Sequence, residues 1–249
     1  SYELVRKMRA SFLILGPLLT KYGYAEVSLP GGCAIGTRPV DLHISALEKM
    51  GAEFIIEDGY IKGKVKGRLK GCEITLKKIS VGATENIIMA ATLADGETII
   101  KNAAREPEIS DLSNFLVDSG AEIDGYGTNV IKIKGKKRLR GCEFSVMPDR
   151  IEAGTYALCV MGCSGNIILE NVNDLICNHL KKIFKPLNVL FLSKKDNGNK
   201  LAIKRTNRFQ KNVIISTKEF PGFPTDLQAQ LIASLVKSEG KSVIKENIF

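Results

Sequence analysis

Gly51-Ala52-Glu53-Phe54 recurs about seventy residues downstream as Gly120-Ala121-Glu122-Ile123, and its surroundings recur with it. An amphipathic segment precedes each copy: Leu42, Ile44, Leu47 and Met50 in the first case, Leu112, Phe115 and Leu116 in the second. A strand-like run follows each, Tyr60-Ile61 and Val130-Ile131-Lys132-Ile133. Leu69-Lys70-Gly71-Cys72-Glu73-Ile74 then returns as Leu139-Arg140-Gly141-Cys142-Glu143-Phe144. Gly96-Glu97-Thr98-Ile99-Ile100-Lys101-Asn102 returns as Gly165-Asn166-Ile167-Ile168-Leu169-Glu170-Asn171. Weaker echoes stand at Gly23-Tyr24-Ala25-Glu26-Val27 and Gly240-Lys241-Ser242-Val243-Ile244.

Apolar residues at i, i+3 and i+4 mark the helical parts, and apolar alternation marks the strands. Each unit reads as helix, strand, hairpin strand, helix, strand. Such a unit cannot bury both of its faces alone, so several must pack around a shared helical core. The period is too long for a typical solenoid, and the pattern predicts pseudo-symmetric α/β units assembled into globular domains. A repeat specifies fold, whereas chemistry must come from residues that break it.

The 249 residues suffice for one large domain or two ordinary ones. With no Trp and 6% aromatics, the core must be mostly Ile, Leu, Val and Ala. The net charge of +9 is spread along the chain, and no basic run is interleaved with aromatics. Nucleic-acid binding therefore has only net charge behind it, and a site for anionic small molecules uses the same charge. No pair among Cys33, Cys72, Cys142, Cys159, Cys163 and Cys177 has C-x-x-C spacing, which argues against a zinc site. Cys159 and Cys163, four apart, read as small core residues on one helix face. The absence of a secretion signal and this cysteine usage point to a reduced, cytoplasmic protein. The apolar run Phe12 to Leu19 is interrupted by Gly16-Pro17 and is too short for a membrane span.

Three segments break the repeat. Leu29-Pro30-Gly31-Gly32-Cys33-Ala34-Ile35-Gly36-Thr37-Arg38-Pro39-Val40-Asp41-Leu42-His43 sets one Cys and one Arg among three Gly and two Pro. This is a tightly turned or mobile loop, and Pro39 suits the first turn of the helix after it. A turn holding a small buried Cys has the same look. Lys77-Lys78-Ile79-Ser80-Val81-Gly82-Ala83-Thr84-Glu85-Asn86 leads into an apolar helix. Free N–H groups at its start make an anion site with Lys78 nearby, although Ser80 as a plain cap reads equally well. Phe220-Pro221-Gly222-Phe223-Pro224-Thr225-Asp226-Leu227-Gln228-Ala229-Gln230 places Thr225 and Asp226 where they could cap a helix or face a ligand.

Taken together and in order, these segments resemble the UDP-N-acetylglucosamine enolpyruvyl transferases. Arg9-Ala10-Ser11 with Gly16-Pro17-Leu18, Ala104-Arg105-Glu106-Pro107-Glu108 and Met147-Pro148-Asp149-Arg150-Ile151-Glu152 extend the resemblance over nearly the whole chain. The resemblance implies an inverted α/β barrel of repeated βαβαββ units in two domains, like EPSP synthase. It puts most of the first domain in residues 1–147 and part of the second in 148–249.

The family's reaction moves the enolpyruvyl group of phosphoenolpyruvate to the 3-hydroxyl of UDP-N-acetylglucosamine and releases phosphate, the first committed step of peptidoglycan synthesis. By resemblance, Cys33 is the general acid, the site of a covalent phosphoenolpyruvate adduct and the thiol that fosfomycin alkylates. A thiol of pKa about 8.5 is roughly 97% protonated at pH 7, so it has a proton to give. Arg9 and Arg38 match arginines that grip phosphate or carboxylate, for which the guanidinium fork is suited. Asp226 matches the carboxylate on the sugar hydroxyl, the implied base, with Thr225 positioning it. Arg38, Pro39, Val40, Asp41 and Leu42 match the uridine site, Lys78, Ser80, Val81 and Gly82 the diphosphate site, and Ile248 a backbone contact to the sugar. Glu106, Asp149 and Arg150 form an implied accessory charged cluster, and His43 orients the helix after the loop. The partners are the two small-molecule substrates. No metal or organic cofactor, nucleic acid or membrane insertion is implied, and oligomeric state is left open.

The pattern departs from the family in three places. The early Lys-Asn pair that binds phosphoenolpyruvate has no counterpart, nor do further arginines of the second domain, and Ser1 falls directly inside a helical pattern. The expectation is a fragment truncated at both ends, with part of its site missing. Between Val172 and Lys218 the family's G-A-x-I turn is replaced by Pro186-Leu187-Asn188-Val189. Two alternatives stay open: a catalytically incomplete UDP-N-acetylglucosamine binder, and a shikimate-3-phosphate enolpyruvyl transferase, whose family does not have this cysteine loop.

Overall fold

The computed structural model describes residues 9–29, 40–194, 200–205 and 211–249. The chain forms two compact units, residues 1–145 and 146–249, each with its own apolar core.

In the first unit a 3-10 helix, Arg9–Ile14, runs into α1 (Leu15–Tyr22), followed by β1 (Tyr24–Ser28), α2 (Asp41–Lys49) and the hairpin β2 (Ala52–Glu57) and β3 (Tyr60–Val65). The second half continues with β4 (Glu73–Thr75), α3 (Val81–Ala91), β5 (Glu97–Lys101), α4 (Pro107–Asp118) and the hairpin β6 (Glu122–Asp124) and β7 (Val130–Lys134). The sheet orders are β1-β3-β2 and β4-β5-β7-β6, antiparallel throughout except for the parallel pair β4–β5.

The second unit repeats this wiring. It has α5 (Arg150–Cys163), β8 (Asn166–Leu169), α6 (Asp174–Phe184), β9 (Val189–Lys194) and β10 (Lys200–Arg205) in the sheet order β8-β10-β9. Then come β11 (Ile214–Ser216), α7 (Gln228–Leu235) and β12 (Val243–Lys245), with β11 and β12 parallel. The βαβαββ unit therefore appears whole from β4 to β7, and its order recurs in the elements on either side.

Alternation fixes which sheet face turns inward. Ile61 and Gly63 on β3, Ile131 and Ile133 on β7, and Leu201 and Ile203 on β10 are buried, and the residues between them, Lys62, Lys132 and Ala202, turn to the outer face. A one-residue slip would exchange the two sets, so burial holds the register. Outer-face ion pairs such as Lys62–Glu57 at 2.8 Å and Lys101–Glu73 at 2.7 Å add little, because water screens them.

The core of the first unit is built on α3. Ala83, Thr84, Asn86, Ile87, Ile88, Ala90 and Ala91 are buried around its circumference. A helix apolar on every side must be enclosed by other elements. α1 approaches it closely through Gly16, where a Cβ would collide with Asn86 Oδ1 and lie 2.6 Å from the Asn86 carbonyl oxygen. In the second unit Gly154 of α5 lies against Leu227, and Gly162 against the Ser234 backbone of α7. Cys159 and Cys163 are exposed rather than in the core, which corrects the sequence reading. Ala153, Gly154, Ala157, Leu158 and Met161 make the buried stripe of α5, and helical spacing puts Cys159 and Cys163 off it.

The turn before each hairpin explains the Pro186-Leu187-Asn188-Val189 departure. Gly51 and Gly120 have φ of 97° and 100°, and Asn188 takes the same place with φ 47°. Asn is the residue other than Gly that enters this left-handed region most readily. Asn188→Ala should cost about 1 kcal/mol in urea unfolding, and Asn188→Gly should cost less despite removing the larger side chain.

Candidate active site

Of the residues singled out from sequence, Cys33, Arg38 and Pro39 lie outside the described residues, and of Arg9 only the backbone, at the start of the 3-10 helix, is described. The others fall into two groups, one in each unit.

In the first unit, Val40 precedes α2, and its carbonyl accepts the N–H groups of His43 at 3.0 Å and Ile44 at 3.1 Å. Asp41 is exposed in the first turn, where a negative charge suits the helix dipole, and Leu42 is half-buried. Ser80 caps α3: its hydroxyl accepts from Ala83 N–H at 3.3 Å, and its carbonyl accepts from Thr84 N–H at 3.0 Å and the Thr84 hydroxyl at 2.7 Å. Helix geometry leaves the N–H groups of Val81 and Gly82 outside the ladder, as an anion site requires. Both readings of Ser80, cap and anion-site residue, are thus compatible in one geometry. Lys78 is exposed in the approach to this turn.

His43 joins the two helices. The Asn86 amide oxygen accepts Gly16 N–H at 2.7 Å, so its nitrogen faces the Phe12 carbonyl at 3.1 Å and His43 Nδ1 at 3.0 Å. Nδ1 must then accept, which makes the neutral ring an Nε2–H tautomer. A Cβ on Gly82 would lie 3.3 Å from His43 Cε1 and 3.5 Å from Nε2, so Gly82 makes room for the imidazole. Burial pushes the His43 pKa down to about 4, against a small opposing pull from Asp41. A neutral imidazole with one nitrogen committed orients the elements around it and is unsuited to proton shuttling.

Glu85 lies on α3, one position before Asn86. Burial, then the neighbouring charges of Glu108 and Glu106, raise its pKa to about 7. The chain separation of Glu85 from Glu106 and Glu108 hides this grouping from a linear reading. Asp149, read as part of a charged cluster, caps α5 by accepting from Ile151 N–H at 2.7 Å and Glu152 N–H at 3.2 Å.

In the second unit, Thr225 and Asp226 open a single 3-10 turn ahead of α7. Neither side chain caps the helix. The Thr225 hydroxyl instead donates to Glu246 Oε2 at 2.8 Å, and Asp226 is exposed. Ile248 N–H donates to Glu246 Oε1 at 2.7 Å, so a ligand contact there would fall to its carbonyl. Burial pushes Glu246 up, but hydrogen bonds from Ile248, Thr217, Thr225 and Phe249 outweigh it and hold the carboxyl below its ordinary value. His179 is buried against Phe220, with ring centroids 4.8 Å apart. Burial, then the charges of Arg150 and Lys182, lower its pKa to about 4.

The model of the EPSP synthase (3-phosphoshikimate 1-carboxyvinyltransferase) family matches residues 1–249. The chain is 50% identical over 248 residues to the UDP-N-acetylglucosamine 1-carboxyvinyltransferase of Nitratidesulfovibrio vulgaris strain DP4, covering 100% of this chain and 58% of the relative. It is 51% identical over 248 residues to the protein of that name in Paramagnetospirillum magneticum, with 57% of the relative covered. The chain thus spans under two thirds of the length of these curated relatives. Among solved structures, the enolpyruvyl transferase NikO from Streptomyces tendae superposes with a TM-score of 0.82 at 19% identity, covering 99% of this chain and 58% of that one. EPSP synthase from Acinetobacter baumannii gives 0.62 at 20% identity, covering 95% and 54%. At such identities these two likenesses speak to fold alone. Among the described residues no helix is long and apolar enough to cross a membrane.

The pKa directions set a pH signature. His43 and His179 resist protonation when folded, so the unfolded chain binds protons first as pH falls below about 6.5, and their contribution to stability drops until about pH 4. The urea midpoint of His179→Leu should therefore fall less than wild type between pH 7 and pH 4.5. Glu85 runs the other way: its raised pKa favours the fold below about 4.5, and that contribution is lost as pH rises through about 7. Glu85→Gln should raise the urea midpoint at pH 8 and leave it unchanged near pH 4.

Proposed function

The chain belongs to the EPSP synthase family, and from that premise we propose that it carries out enolpyruvyl transfer from phosphoenolpyruvate to the 3-hydroxyl of UDP-N-acetylglucosamine. The supporting observation is the 50% identity over 248 residues to relatives of that name, together with the ordered motifs around Cys33, Ser80 and Asp226. The reaction would serve peptidoglycan synthesis in the cytoplasm.

In this reading the sugar hydroxyl adds to C2 of phosphoenolpyruvate while C3 takes a proton. Loss of a proton from the C3 methyl group and of phosphate from C2 of the tetrahedral intermediate then re-forms the C2=C3 double bond, now as the enol ether of the sugar. Cys33 is the acid, since an ordinary thiol keeps its proton at pH 7. Asp226 is the base that receives the hydroxyl proton, steadied by Thr225. Arg9 and Arg38 bind the anionic groups of phosphoenolpyruvate, stabilising charge that grows in the transition state. Val40, Asp41 and Leu42, with Arg38 and Pro39, hold the uridine. Lys78, Ser80, Val81 and Gly82 hold the diphosphate, using the free N–H groups at the start of α3. The Ile248 carbonyl meets the sugar.

Phosphate release should require both UDP-N-acetylglucosamine and phosphoenolpyruvate. Cys33→Ser and Asp226→Asn should each lower it by a hundredfold or more, in line with loss of a general acid or base. Calorimetric binding of UDP-N-acetylglucosamine with no phosphate release from wild type would identify a sugar-nucleotide binder instead.

A further inference from the structure

Glu246 marks where the second parallel βαβ departs from the first. In the first unit Leu76 N–H donates to the Lys101 carbonyl at 3.0 Å, and the Asn102 amide donates back to the Leu76 carbonyl at 2.9 Å. In the second, Thr217 N–H donates to the Lys245 carbonyl at 2.9 Å, and the Asn247 amide donates to the Thr217 carbonyl at 3.2 Å. Lys101 and Asn102 are adjacent, whereas Glu246 stands between Lys245 and Asn247. It is a one-residue insertion into a repeated hydrogen-bond pattern.

The inserted carboxylate gathers what lies around it. Oε1 accepts from the Thr217 hydroxyl at 2.8 Å, Ile248 N–H at 2.7 Å and Phe249 N–H at 3.3 Å, and Oε2 accepts from the Thr225 hydroxyl at 2.8 Å. With four donors on it, this carboxylate is poorly placed to act as a base. An ionised carboxylate only accepts, so the single Thr225 proton is committed to it and the Thr225 oxygen is left as an acceptor. Thr225 also anchors the turn through its carbonyl, which receives the N–H of Gln228.

We propose that Glu246 is a positioning residue for the transfer: it fixes the turn carrying Thr225 and Asp226 and sets the Thr225 hydroxyl as an acceptor toward substrate. This rests on the reading of Asp226 and Thr225 given above. Glu246→Gln keeps the shape, but its amide oxygen answers the three donors on one side and turns an N–H toward Thr225, reversing that hydroxyl. kcat for sugar-dependent phosphate release should fall about tenfold, with KM for phosphoenolpyruvate within about threefold. Thr225→Ala should lose as much, and the double variant should lose no more than Thr225→Ala, because the two residues act as one. Additive losses, or an unchanged kcat in Glu246→Gln, would overturn the proposal. If Glu246→Gln does not fold, Thr225→Ser takes its place: it should stay within about threefold of wild type where Thr225→Ala does not, and equal losses overturn the role. If wild type itself shows no turnover, the functional reading fails separately. Amide exchange at Gln228 then decides the anchoring, which predicts faster exchange in Glu246→Gln and is overturned by an unchanged rate.

Discussion

The close approach of Gly16 to Asn86 is the contact on which the first unit depends. α3 is enclosed on all sides, so any polar group on it must find its partner inside the protein. Asn86 meets that demand with one amide joining Gly16, Phe12 and His43. The 3-10 segment, α1, α2 and α3 are thereby tied at a single buried point. Only a residue without a Cβ at position 16 lets the backbone come near enough.

The second unit solves the same helix crossing differently. Gly154 and Gly162 again allow close approach, but the polar links are the Ser234 hydroxyl to the Leu158 carbonyl at 2.9 Å and Gln230 to Thr155 at 3.1 Å. The wiring is shared while its side-chain chemistry differs. In each unit one group of the proposed ligand residues follows the first strand of the parallel pair: Lys78 and Ser80 with the first helical residues Val81 and Gly82 after β4, and Thr225 with Asp226 after β11. Each group comes after the carboxyl end of a strand, where open α/β sheets leave backbone and side chains free for ligands.

Electrostatics divide the polar groups by task. The two histidines are held neutral by burial, so near pH 7 they act by shape and hydrogen bonding. Glu246 is held ionised because its hydrogen bonds outweigh its burial, while burial, and after it the charges of Glu108 and Glu106, push Glu85 toward protonation. The same side-chain type thus ends with opposite tendencies in the two units, decided by whether hydrogen-bond donors offset its burial.

The repeat, the helix and strand alternation and the motif set were legible in the sequence, because each depends on residues close in the chain or on a fixed spacing. Asn188 in place of Gly looked like divergence and proved to be a conformational equivalent. Cys159 and Cys163 were misread, since spacing says that two residues share a helix face but not which face is covered. The Asn86 node, the crowding of Glu85 and the Glu246 hub were invisible. They join residues as far apart as Phe12 and Asn86, or arise from one residue inserted at the end of a strand. Local chain order determined what kind of unit this protein repeats. Only tertiary packing, by deciding which donors and charges surround each buried group, determined what its polar residues can do.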